Sequence, residues 1–189
     1  MGKIFITSSV SLDGYMEGPD RDISWHRVDA ELHRHFNHLL APVRAFIDGR
    51  VTHELMQDYW PTADQDPAAS PEIVEFAEIY RSKKKYVFSR TLEKVADDTE
   101  IVRELDPGWV RDLKAAPGAD LALGGANLMG QFMRHGLIDE YRLYLNPVVL
   151  GGGTPLFPQD LTMDLRLIET HPFNDGVVEL VYRPGPNRS

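Results

Sequence analysis

The chain has 189 residues, 42% of them hydrophobic and 26% charged, with no cysteine and a net charge of −9 at pH 7. That length suits one domain with a sizeable core, and the missing cysteine excludes disulfide frameworks, cysteine nucleophiles and thiolate metal sites. The negative balance argues against nucleic acid, which is bound by Lys and Arg at phosphates, and no run approaches the roughly 20 apolar residues of a membrane span, so the expected setting is the cytoplasm.

Strand and helix signals alternate along the chain. "KIFITSSV" is rich in β-branched residues and predicts a buried strand over Lys3–Val10. "SLDGYMEGPDRDIS" carries Asp13-Gly14 and Gly18-Pro19-Asp20, turn chemistry that predicts a loop. A helix follows from Arg27 to Leu40, with Asp29 near its start, Leu32, Phe36, Leu39 and Leu40 on one face, and Pro42 ending it. Arg44–Asp48 reads as the second strand, Val51–Asp58 as a helix and "YWPTADQDPAAS" as a loop. Pro71–Tyr80 is the next helix and "KKYVFS" the third strand. The pattern repeats with a strand at Glu100–Arg103, a helix at Gly108–Ala115, a strand at Asp120–Leu123 and a helix at Gly125–His135. Such alternation predicts a mainly parallel sheet covered on both faces.

The last third changes character. "DEYRLYLNPVVL" alternates apolar and polar residues, "GGGTPLFPQD" reads as a loop, and "LRLIETHPF" and "VVELVYRP" flank the turn signal Asn174-Asp175-Gly176. Two strands around a short glycine-containing turn form an antiparallel hairpin. The expected fold is therefore α/β, one domain over 1–189, with a mixed, mostly parallel sheet and an antiparallel edge.

Three strand ends carry anion-binding chemistry. In "AFIDGRVTHELM", Gly49 follows a buried strand and precedes a helix, where backbone N–H groups and the helix dipole favour a phosphate; Arg50 adds a bidentate donor and Thr52 a hydroxyl. "DLALGGANLMGQF" puts Gly124, Gly125 and Ala126 at a second such junction, and "KKYVFSRTL" ends its strand with Ser89, Arg90 and Thr91, a set suited to a phosphate monoester. Each also reads plainly: the glycines as turn formers, Thr52 as a helix cap, the arginines as solvated charge. In an open parallel sheet, ligands bind where the carboxyl ends of strands share an edge, so the three together point to a nucleotide with several phosphates.

These segments resemble the dihydrofolate reductase fold, and within it the riboflavin-biosynthesis reductase domain and its small single-domain relatives. The resemblance spans nearly the whole chain through "SLDGY", "GRVTHE", "FSRTL", "GGANLM" and "GLIDEYRLYLNPVVLGGGTPLF". It implies a three-layer dihydrofolate reductase-like fold and an NADPH-dependent reductase acting on a small pterin-, pyrimidine- or flavin-precursor-like molecule. Carried onto this chain, Gly49, Arg50 and Thr52 would hold cofactor phosphates. Ser89 and Arg90 would meet the adenosine ribose phosphate, and Gly124, Gly125, Ala126, Asn127 and Leu128 would line the pyrophosphate and nicotinamide-ribose side. Asp13 in "SLDGY" and Pro147, Leu150, Gly151 and Gly152 would shape the substrate mouth. Reductases of this fold use an acid on the first helix, which here implies Asp29 or Glu31; Asp13 and Glu31 are carried forward as the catalytic candidates. The rival class is a binding protein that keeps the groove without the chemistry.

Helix spacing lets His35 and His38 share a face while His33 points away from His35, and a packed or solvated helix is preferred to a metal site. Trp25, Tyr59 and Trp60 are candidates for stacking on a planar ligand or for core anchoring. Related reductase domains pair through the antiparallel region, so Val177, Leu180 and Tyr182 are expected at a homodimer interface.

Overall fold

In the computed structural model, which describes residues 1–118 and 120–186, the strand β1 (Ile4–Ser11) lies inside an eight-stranded sheet. It pairs in parallel with β6 (Leu121–Gly124) on one side and β7 (Glu140–Asn146) on the other. Ile4 and Ile6 are buried on one face and Phe5 on the other, as a strand covered on both faces requires. Beyond β6 come β3 (Ala45–Gly49), β4 (Lys84–Phe88) and β5 (Thr99–Val102), all parallel. Beyond β7 lie β10 (Val178–Pro184) and, at the edge, β9 (Leu165–Pro172).

Helices cover both faces. Residues of α4 (Pro107–Ala115) and α5 (Ala126–Arg134), among them Val110, Met129 and Phe132, fill one core layer. On the other face Leu40 of α1 (Ala30–Leu40), Met56 of α2 (Arg50–Tyr59) and Phe76 of α3 (Pro71–Ser82) pack over Phe5, Phe46 and Ala122. No helix among the described residues is long and apolar enough to cross a membrane.

The mixed sheet and terminal hairpin match the sequence reading, with one shift in where the antiparallel part begins. β7 runs parallel to β1, and β10 is the strand that opposes both its neighbours. Alternating hydrophobicity reports which face a strand buries and carries no direction, so β7 and the hairpin look alike in sequence. Three expected loops also hold structure: β2 (Tyr15–Glu17) pairs with the two-residue β8 (Thr154–Pro155), and 3-10 turns occupy Pro19–Arg21 and Trp60–Gln65. Elements this short have no period to read. The first helix starts at Ala30, because the Asp29 carboxylate accepts the Leu32 N–H at 2.8 Å and caps it.

Candidate cofactor groove and reaction cavity

β3 and β6 are neighbours in the sheet, yet the chain leaves β3 into α2 on one face and β6 into α5 on the other. That divergence opens a crevice beyond the strand ends. The helices around it differ in how they start. Asp29, Ser70 and Asp106 cap α1, α3 and α4 with side-chain oxygens. α2 and α5 start at Gly49 and Gly125, with no side-chain cap. Their first-turn N–H groups therefore face the crevice free to meet an anion.

The crevice comprises three adjoining hollows. A cavity of about 290 Å³ takes in Ser8 and Ser9 of β1, His26, Asp48, Thr52 and Gly124. A groove lined by Gly49, Arg50, Thr52, Gly125, Ala126, Asn127 and Leu128 shares Thr52, Gly125 and Ala126 with it. The third hollow, at the end of β4, holds Ser89 and Arg90 and shares Leu128 with the groove. All ten residues expected to hold a cofactor are thus brought to one continuous surface.

Close approach explains the two central glycines. A Cβ on Gly124 would lie 2.6 Å from Asp48 Oδ1, and one on Gly125, whose φ is +95°, would lie 3.1 Å from Thr52 Oγ1 and 3.3 Å from the Gly49 nitrogen. Space is short at both positions, and at Gly125 the backbone conformation also favours glycine. Arg50 pairs with Glu54 one turn along α2 at 2.9 Å. Ser89 Oγ accepts the N–H groups of Thr91 and Leu92 at 3.3 and 2.9 Å, shaping the turn beside Arg90, which is exposed. Arg103 donates to the Ser89 and Leu92 carbonyls at 2.9 and 2.7 Å and lines the same hollow with His135. Arg103 was not foreseen, although its place just after β5 on the same sheet edge was the available signal.

Asp13 and Glu31, the catalytic candidates, lie outside the cavity lining. Asp13 receives the Ser11 hydroxyl at 2.7 Å and the Gly151 and Leu150 N–H groups at 2.7 and 3.1 Å, contacts that hold its carboxyl down to about 2. It is an ionised clasp between the "SLDGY" turn and the glycine-rich loop, and has no proton to give at neutral pH. Glu31 accepts from the Asn174 side chain at 2.7 Å, at the hairpin turn. Two acids reach the cavity, Glu17 and Asp48, and Asp48 is the buried one, only 6% exposed. Its signal was an aspartate closing the otherwise apolar "AFI" run.

Trp60 packs edge-on against Phe76 with ring centroids 4.4 Å apart, as a core anchor, and Trp25 Nε1 donates to the Asp22 carbonyl at 3.0 Å. His35 bonds the Tyr144 hydroxyl at 3.0 Å. Among the described residues no three His, Asp or Glu side chains converge as metal ligands.

The chain is 35% identical over 182 residues to uncharacterized protein YyaP of Bacillus subtilis (strain 168), covering 95% of this chain and 94% of that one. Its fold resembles RibD of Acinetobacter baumannii, with a TM-score of 0.69 and 18% identity over 98% of this chain and 58% of that one. It also resembles dihydrofolate reductase of Enterococcus faecalis, with a TM-score of 0.65 and 12% identity over 97% and 96% of the two chains. Likeness at such identities speaks for the fold alone. The model of the RibD C-terminal domain matches residues 2–178, and with the crevice, the paired helix starts and the strand order all in place, the chain belongs to the RibD C-terminal domain family.

Proposed function

We propose that this protein is an NADPH-dependent reductase of a small heterocycle of the pterin, pyrimidine or flavin-precursor kind. The observation that carries the reading is the pair of uncapped helix N-termini, at Gly49 and Gly125, opening on one groove between the cavity and the Ser89–Arg90 hollow. The groove fits a dinucleotide: glycines admit the pyrophosphate, the free N–H groups and Arg50 meet its charge, and Arg90 with Arg103 suits the further phosphate. Membership of a reductase family supports it, as does the NADP(H) bound to the Enterococcus faecalis enzyme. When bound, reduced nicotinamide supplies a hydride. The chain's own residues seat the phosphates, screen the cavity through the β2–β8 flap, and hold a planar substrate against the hydroxyls of β1.

The test is an NADPH titration followed by assay of NADPH oxidation with dihydropterin, aminouracil and flavin-precursor substrates. Binding with turnover on one class is expected; saturable binding without turnover on any would favour the non-catalytic binding protein instead.

Arg90→Ala is expected to weaken NADPH about tenfold while leaving NADH within twofold, consistent with loss of one charge-assisted phosphate contact of ~1.5 kcal/mol. Equal weakening of both would move Arg90 away from the extra phosphate.

Assembly is part of the proposal. Val177, expected at an interface, is fully buried with Leu32, Tyr144 and Phe173, and Leu180 and Tyr182 pack, partly buried, against the separate cluster that holds Leu143 and Leu156. Within the antiparallel edge, the exposed large apolar residues among those described are Leu167 and Ile168 of β9, 50% and 39% exposed. We expect a homodimer through β9, with sedimentation giving twice the chain mass. Leu167→Lys should shift it to the monomer, and a wild-type monomer at all concentrations would refute the interface.

A further inference from the structure

The reaction cavity contains three titratable side chains, Glu17, His26 and Asp48. Two are engaged: Glu17 accepts the Thr154 hydroxyl at 3.0 Å, and His26 Nε2 bonds the Met16 carbonyl at 3.2 Å. Asp48 differs. Among the described residues no hydrogen bond reaches its carboxyl, although it is nearly buried and Gly124 leaves the space its Oδ1 occupies. A carboxyl this little exposed, whose accessible oxygens open on the cavity, is placed for a ligand to complete it.

Resting on the reductase reading, we propose that Asp48 is the catalytic proton donor, acting on a ring nitrogen of a substrate that presents a C=N bond to the cavity floor. Asp48 breaks its Oδ–H bond and passes the proton to that nitrogen while the neighbouring carbon receives a hydride from the nicotinamide. The π pair of the C=N bond becomes the new N–H bond. The substrate gains two electrons, the nicotinamide loses two, and the carboxylate left behind is reprotonated by water.

The surroundings suit a donor working at neutral pH. Burial pushes Asp48 up to about 7, against the opposing charge of Lys85 on β4. Lys85 is itself paired with Asp98 and lies 4.4 Å over the Tyr80 ring, so it can steady the carboxylate without quenching the acid. Burial raises Tyr80 and lowers His26 and His53, which leaves Asp48 as the buried carboxyl that changes charge near neutrality.

The test uses the full chain with carbon-labelled aspartate and its Asp48→Asn variant. Carboxyl NMR should show one resonance, absent from the variant, that titrates near pH 7 and moves when 2,4-diaminopyrimidine, a ring with C=N nitrogens, is added in the presence of NADP⁺. Turnover on whichever substrate the wild type reduces should fall at least ~100-fold in Asp48→Asn and lose its decline above pH 7, while NADPH affinity stays within about threefold. A resonance titrating in the ordinary carboxylate range, or one unmoved by the ring compound, would overturn the assignment. So would an active variant with the wild-type pH profile. Failure of the wild type to bind NADPH would sink the reductase reading instead, which separates the two.

Discussion

Asp48→Asn is expected to flatten the dependence of stability on pH and to raise stability above neutrality. The carboxyl stands at about 7 in the fold against an ordinary 3.8. Below the lower value both states are protonated and the side chain contributes no difference. Between the two the unfolded chain loses its proton and the fold keeps it, so the native state binds more protons and stability falls as pH rises. Above about 7 the fold carries a buried carboxylate. At 1.36 kcal/mol per pH unit, a difference of roughly 3 units amounts to as much as ~4 kcal/mol. Asparagine fills the same space without the charge, so urea titrations at acidic and mildly alkaline pH should show the variant gaining on the wild type as pH rises. Parallel curves would mean that Asp48 is solvated and not poised as described.

The second large effect lies at the start of β7. Arg142 reaches Glu140 and Glu179 at 2.9 Å each, and both carboxylates have side chains under 5% exposed. Burial raises Glu179, but hydrogen bonds from His35 and Tyr144 and the Arg142 charge outweigh it and leave the group below its ordinary value. Glu140 also pairs with Arg183 at 3.0 Å and Lys3 at 3.3 Å, so Arg142→Met chiefly strands Glu179, at an expected cost of ~3 kcal/mol near neutrality. Adding Glu179→Gln should recover part of it by deleting the stranded charge. Because this cluster lies away from the crevice, the folded variant should keep NADPH affinity. A loss under ~1 kcal/mol would show that water reaches the cluster.

What the sequence disclosed follows from what is local. Glycine, hydroxyl and arginine at the end of a strand are a contiguous signal, so Gly49, Thr52, Gly125 and Ser89 are legible as candidates, and the fold brings them to a common edge. The buried strands were legible from apolar runs, and the hairpin from Asn174-Asp175-Gly176. Long-range partners were not. Asp13 and Glu31 were assigned from the motif and helix they belong to, whereas their carboxylates are spent on Gly151 and Asn174, more than a hundred residues away. Asp48 escaped notice for the converse reason: beside "AFI" it reads as the polar end of a strand, and only the packing of Gly124, α2 and Lys85 makes it a buried acid facing a cavity.

On the proposed reading, the two bare helix starts and the Ser89–Arg90 hollow form one NADPH site. Backbone amide NMR during titration with NADPH, and separately with NADH, tests it most directly. Both cofactors should shift the amides of Val51, Thr52, Ala126 and Asn127, and NADPH alone should strongly shift those of Ser89 to Thr91. Saturation with shifts elsewhere in the sheet, or no saturable shift at either helix start, would contradict the account.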